Sequence, residues 1–203
     1  MKLQQRKSSA TRELVLKATV QSLIDIGFVG TTFDRISQIS GQSRGAVSYH
    51  FTSRDSLIRE TLRYIQEERV RSYREAMEDN ERPLVGFERS MEIYWESFCD
   101  PLFVAYQEIV SQARTDRTLA AFLIPLHRDF ERQWDAVVLG THPDWANSMD
   151  LFRKTRAIAT YLMDAMARER FVFGSDDEWL HQLRRDLRAW ILHLMKTESN
   201  KPT

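Results

Sequence analysis

A single cysteine, Cys99, stands in 203 residues, so no disulfide can close within the chain and a stapled secreted scaffold is excluded. No apolar run approaches the ~20 residues that a membrane-spanning helix needs. The opening segment, MKLQQRKSSATRE, has no apolar stretch behind its basic residues, so no signal peptide is expected and the expected location is the cytoplasm. Net charge is missing too: 29 Lys and Arg balance 29 Asp and Glu. There is no internal repeat and no low-complexity segment. The chemistry of common enzymes is equally scarce, with no Gly-rich phosphate loop and no nucleophile elbow. Glu178-x-x-His181 is half of a di-metal pattern whose second copy is absent. His127, His142 and His193 have no Cys or His at ligand spacing. Catalytic residues, a metal and a cofactor are therefore not expected.

What the chain does have is the composition of a globular protein, 42% hydrophobic and 29% charged. Its charge is unevenly placed. Residues 1–54 hold eight bases against three acids, and the remainder holds 21 bases against 26 acids. A basic head on an acidic body suits a polyanion such as DNA. Glycine and proline are few, seven and five, and four of the glycines fall in the first 45 residues. Between these breaks the apolar residues recur at helical spacing, and no convincing alternating strand is found, so the fold is expected to be all-α.

The first helix is expected over about 11–26, with Val15, Thr19, Leu23 and Ile26 on one face and Gly27 ending it. A short helix follows over about 32–40, capped by Thr32, with Phe33, Ile36 and Ile39 on one side. Gly41 sits in a turn, and Ser43 caps a third helix to about Phe51. Ser53 then caps a long helix that carries Leu57, Ile58, Leu62 and Ile65 and runs to about Glu78. Two short helices joined by a tight Gly-containing turn in a basic segment form the pattern of a helix-turn-helix.

Gly27-Phe28, Thr31-Thr32, Ile36, Gly41, Ser43-Arg44-Gly45-Ala46-Val47, His50-Phe51 and Arg54-x-x-Leu57 resemble the N-terminal domain of the TetR family of transcriptional regulators. The resemblance covers about residues 11–65. It implies a basic arm and three-helix DNA-binding domain over residues 1–54. A larger helical effector-binding and dimerisation domain would then occupy residues 55–203, entered through a connecting helix at about 54–78. Two positions depart from the family's habit: Gln42 replaces a small apolar residue after the turn glycine, and Ser48 stands where a tyrosine is common.

On this reading the third helix enters the major groove, which is wide enough for an α-helix. Arg44 could donate two hydrogen bonds to a guanine, and Ser43, Ala46, Ser48 and Tyr49 face phosphates or base edges. His50 either touches a phosphate or packs locally. Thr32 at a helix N-terminus is a phosphate anchor, Arg54 resembles the family's backbone-holding base, and Lys2, Arg6 and Lys7 form a mobile arm. Val47 and Phe51 read as core.

Farther on, fourteen of the aromatic residues fall between Phe87 and Phe173. In the resemblance this region holds a pocket for a small-molecule effector, with Tyr94, Trp95, Phe98, Gln107, His127 and Trp134 as its candidate lining. A helix expected over about 148–172 offers Phe152, Ile158, Ala159, Leu162 and Met166. The last helix, about 177–195, begins under the acids Asp176, Asp177 and Glu178. In it Leu180, Leu187 and Leu194 recur every seven residues, with Leu183 and Trp190 between them, as an a/d seam would. Phe152, Leu162, Met166, Leu180, Leu183, Leu187, Trp190 and Leu194 are the candidate homodimer interface. The sum is a homodimeric repressor that reads a palindromic double-stranded DNA operator and is released by a small ligand. The same residues would serve an activator, and the rival reading is a helical small-molecule-binding or scaffold protein whose helix-turn-helix no longer reads DNA.

Overall fold

The computed structural model describes residues 2–79, 86–174 and 178–199, and these residues are helical with no strand among them. Asp176 and Asp177 lie outside the described residues. The chain forms two compact units: Met1–Ser72 with Asp100–Gln133, and Tyr73–Cys99 with Trp134–Thr203.

The first unit begins with α1 (Lys2–Gly30), α2 (Phe33–Ser40) and α3 (Arg44–His50). The expected N-terminal arm is thus helical backbone continuous with α1, which starts nine residues before the sequence expectation. Lys2, Arg6 and Lys7 are spaced along that backbone, and their side chains lie outside the described residues. The other end of α1 follows the expectation. Gly27 leaves the helical region with φ 71°, a left-handed value that glycine adopts at little cost. Its neighbour Ile26 is not part of the buried face, being 45% exposed, whereas Val15, Thr19 and Leu23 are fully buried. Past Gly27 the chain is fastened by polar contacts. Thr31 Oγ1 donates to the Gly27 carbonyl at 2.9 Å, and the Ser22 and Thr31 hydroxyls meet at 3.0 Å.

The two short helices start where their caps dictate. Thr32 Oγ1 accepts from the Arg35 N–H, and Ser43 Oγ accepts from the Ala46 N–H, each satisfying a donor that a helix start leaves open. Gly41, at φ 66°, makes the left-handed turn between them. Val15, Leu16, Ala18, Ile36, Val47, Phe51 and Leu57 close one buried core beneath, flanked by the partly buried Phe33, Ile39 and Tyr64. Ser53 caps α4 (Arg54–Glu78) by accepting from the Ser56 N–H at 3.1 Å. Leu57, Ile58, Leu62 and Ile65 of α4 are all buried, as the spacing predicts.

α6 (Pro101–Ala113) and α7 (Arg117–Thr141) complete the first unit with their described residues up to 133. Asp100 caps α6 ahead of Pro101, whose fixed φ suits a first helical position. Asp116 caps α7 by accepting from the Thr118 and Leu119 N–H groups. From α6, Glu108 Oε2 accepts the Phe28 backbone N–H at 3.0 Å. That links α6 to the donor freed where Gly27 breaks α1. The buried Arg69 of α4 places its guanidinium over three rings, 4.9 Å from Phe103, 5.3 Å from Tyr106 and 4.9 Å from Phe130, a favourable cation–π arrangement.

The second unit holds the end of α4, α5 (Gly86–Cys99), the end of α7, a 3-10 segment (Pro143–Ser148), α8 (Met149–Phe173) and α9 (Glu178–Ser199). Gly174 ends α8 at φ 69°, its N–H returning to the Arg170 carbonyl. Ile93, Tyr94, Phe98, Phe152, Ala159, Met163, Leu180, Leu187 and Ile191 supply its core. Two ion pairs tie α9 to α5, Arg184 to Glu92 and Arg188 to Glu88. The guanidinium of Arg184 also lies 4.7 Å from the Trp95 ring.

Candidate functional site

The two-turn α3 presents its residues by helical period. Val47 points into the core and is fully buried, while Ser43, Arg44, Ser48 and Tyr49 stand in solvent. Tyr49 is 81% exposed. Ala46 and His50 are half-buried at the edges of that face. His50 meets the Tyr49 ring edge-on at 5.3 Å and the Phe51 ring at 6.4 Å, so local packing is part of its role. Thr32 is exposed at the start of α2, with its oxygen engaged by the Arg35 N–H. Gln42 donates its N–H to the Ser40 hydroxyl in the turn.

Arg44 is not idle. Its Nη1 lies 2.9 and 3.2 Å from the two carboxylate oxygens of Asp34 on α2. Arg54 is engaged more deeply. Its Nε donates to the Thr31 carbonyl at 2.9 Å, its Nη2 donates to the Phe28 carbonyl, and its guanidinium lies 4.2 Å from the Phe28 ring centre. Burial disfavours the charged form there and lowers the Arg54 pKa. The residue therefore clamps the corner where α1 gives way to α2.

The six aromatic and polar residues expected to line a pocket divide between the units. Gln107 and His127 belong to the first, where His127 Nδ1 lies 3.1 Å from the Tyr106 hydroxyl. Trp95 and Phe98 are buried packing residues of the second. Tyr94 and Trp134 do share a pocket, a cavity of about 60 Å³ bounded by α4, α5, α7, the 3-10 segment, α8 and α9. Trp134 stacks on Tyr73 with ring centres 3.9 Å apart, and Tyr94 lies 5.4 Å from Trp134. The Tyr94 hydroxyl is engaged by Thr160. Trp145 and Phe152, 5.5 Å apart, form the opposite aromatic pair.

Few polar groups enter this pocket. Ser90 Oγ and His142 Nε2 lie 2.5 Å apart, and Arg156 is paired with Asp135 at 2.8 Å. Burial pushes the Tyr73 hydroxyl's pKa up and the His142 imidazole's down, the second opposed by nearby Asp144. Ser90, His142, Trp145 and Arg156 carry no sequence signal because residues from distant helices supply the walls. No group of His, Cys, Asp and Glu among the described residues could hold a metal ion.

The residues expected at a dimer seam also divide. Phe152, Met166, Leu180 and Leu187 are buried within the chain, and Leu183 and Leu194 are half-buried. Leu162 and Trp190 are 47% and 40% exposed. Tyr161, Val172, Phe173 and Trp179 also reach solvent. No helix described here is long and apolar enough to cross a membrane.

Residues 15–61 match the family model of bacterial regulatory proteins of the tetR family. No curated protein matches the chain. Among solved structures, a TetR family transcription regulator from Marinobacter aquaeolei superposes with TM-score 0.65 at 14% identity, over 91% of this chain and 97% of that one. A TetR transcription regulator from Haloarcula marismortui gives TM-score 0.64 at 20% identity, over 90% and 97%. The multidrug binding protein EbrR complexed with imidazole gives TM-score 0.53 at 19% identity, over 87% and 93%. These likenesses establish a common fold.

Proposed function

We propose that this chain, a member of the TetR family, is a sequence-specific DNA-binding transcriptional regulator, acting as a homodimeric repressor of a palindromic operator and released by a small molecule. The observation that carries the reading is the outer face of α3, where Ser43, Arg44, Ser48 and Tyr49 stand in solvent above a core sealed by Val47. A helix presented this way fits the major groove. Arg44 supplies the fork that reads guanine, while Ser43, Thr32 and Tyr49 hold phosphates or base edges. Ser48 offers a short hydroxyl at its position, so reach toward the DNA falls to Tyr49 and Arg44. Arg54 acts indirectly, by fixing the corner that sets α2 and α3.

One such head reads only a few base pairs, and two-fold pairing lets one chain type read both halves of a palindrome about one helical turn apart. The solvent-facing apolar residues of α8 and α9, Leu162 and Trp190 among them, are the surface for that pairing. The pocket between Tyr94 and Trp134 is the seat of the effector. A ligand that binds the non-DNA conformation more tightly shifts the population away from the operator by its difference in affinity. The description of EbrR as a multidrug binding protein supports small-molecule binding on this fold. Such a regulator works in the cytoplasm, with residues 1–54 as its reading head and 55–203 as its effector and dimer body.

The test is selection from a random-sequence duplex pool by the purified chain at two salt concentrations. Enrichment of one palindrome with salt-sensitive affinity is expected. Salt-sensitive retention with no enriched sequence would reduce the head to a phosphate binder and overturn the reading.

A further inference from the structure

The walls of the second unit's pocket state which ligands they disfavour. Tyr73, Tyr94, Trp134 and Trp145 make them aromatic, and no carboxylate residue is among them. A cation would therefore meet the Arg156 guanidinium with no acid to receive it. An anion fares no better, because Arg156 is already held by Asp135 at 2.8 Å. Drawing Arg156 away would strand a poorly solvated carboxylate, which is costly.

The closest neutral polar pair on the wall is Ser90 with His142. The Ser90 hydroxyl has a single proton and donates it to the Gly86 carbonyl at 3.3 Å. The 2.5 Å contact with His142 is compatible with His142 Nε2–H donating to Ser90 Oγ. In that tautomer Nδ1 is an acceptor. Burial keeps the imidazole in its neutral form by lowering its pKa.

We propose that this pocket takes an uncharged, flat aromatic molecule bearing one hydrogen-bond donor, which lies among Tyr94, Trp134 and Trp145 and donates to His142. The proposal deepens the effector reading above and rests on it. Ring-to-ring contact supplies the affinity, since offset and edge-on aromatic pairs add to simple burial. The acceptor on His142 supplies orientation and selects a phenol-like or indole-like group over a bare hydrocarbon.

The test is calorimetric titration of the full chain, without DNA, using three probes on one ring system. At about pH 7 2-naphthol is neutral, 2-naphthoate an anion and 2-naphthylmethylamine a cation. Saturable binding of one 2-naphthol per chain is expected, with both charged probes at least about tenfold weaker. Val138→Phe, a substitution at the half-buried pocket wall, should abolish the binding. His142→Phe should weaken it about tenfold, with thermal melts checking that both variants fold. Failure of all three probes, equal or tighter binding of a charged one, or binding that survives Val138→Phe would overturn the proposal. The regulator reading is judged separately by the DNA selection. A chain that enriches a palindrome yet ignores the probes loses only this ligand class, and one that binds 2-naphthol but enriches no DNA loses only the regulator reading.

Discussion

The Arg44 guanidinium on α3 rests against the Asp34 carboxylate on α2, one nitrogen shared between two oxygens at 2.9 and 3.2 Å. Both side chains are well exposed, 69% and 65%, so the pair adds at most about 1 kcal/mol to stability. Its consequence is positional: a long, flexible side chain is held in one place before DNA arrives. Asp34→Asn removes both that restraint and a negative charge from the basic head. Affinity for random duplex should rise and preference for the selected site should fall, with stability within about 0.5 kcal/mol of the parent. Arg44→Ala should instead weaken operator binding by about 1–3 kcal/mol. Gel shifts on the selected and a scrambled duplex measure both. Unchanged affinities in both variants would mean that Arg44 reads nothing and that its pairing with Asp34 has no bearing on DNA binding.

Arg54 separates a structural role from a DNA contact. It donates to the Thr31 and Phe28 carbonyls and covers the Phe28 ring. A planar guanidinium does all three at once, and an ammonium cannot. Arg54→Ala should destabilise the chain by about 1–3 kcal/mol, and Arg54→Lys should recover little of the loss. A residue that merely touches a phosphate would behave in the opposite way, with near-parental urea melts for both variants and DNA affinity largely restored by lysine.

His142 gives a pH signature. Burial holds its folded-state pKa below the ordinary 6.5, with Asp144 opposing and Ser90 as hydrogen-bond partner. On acidification the unfolded chain takes the proton first, so stability falls. Its contribution is complete above about pH 6.5 and is lost as pH drops from there through the folded-state pKa. Thermal melts from about pH 7.5 to 5 should show a decline that is smaller in His142→Gln, which has no proton to take up. Parallel curves for parent and variant would remove His142 as the cause.

The local parts of this fold were legible and the distant ones were not. Thr32, Ser43 and Ser53 each accept from a backbone N–H three residues ahead, so their whole logic lies within one turn of sequence. Gly27 and Gly41 announce left-handed turns for the same reason. By contrast Arg54 finds its acceptors 23 and 26 residues earlier, and nothing near it hints at Phe28. The nine residues before Thr11 have no apolar face, which hid the early start of α1. Tyr94 and Trp134, singled out by the clustering of aromatics, both line the second unit's pocket. Ser90 and His142, 52 residues apart, meet only through the packing of α5 against the turn after α7. On α9 a seven-residue repeat made one seam of two rows. At 100° per residue the two rows lie about 60° apart around the helix, so one can be buried while the other is not: Leu180 and Leu187 are buried, while Trp190 stands partly outside.

That difference in exposure yields a test of the dimer surface. Leu162 and Trp190 are exposed in the single chain, so Leu162→Glu and Trp190→Glu should leave its stability within about 0.5–1 kcal/mol. In a homodimer joined through this face, each change would bury a carboxylate against its own symmetry copy. Like charges facing one another in a desolvated interface cost several kcal/mol. Light scattering should therefore find monomers, and operator affinity should fall by about 100-fold or more because one head reads only half a site. Leu187→Glu is the contrasting case: that side chain is 5% exposed, so the acid lands in the chain's own core and should unfold it, leaving a loss of helical signal and not a clean monomer. A mass that stays dimeric in both exposed-face variants would move the interface off this face, while monomers that keep full operator affinity would mean that the palindrome is not read by a joined pair.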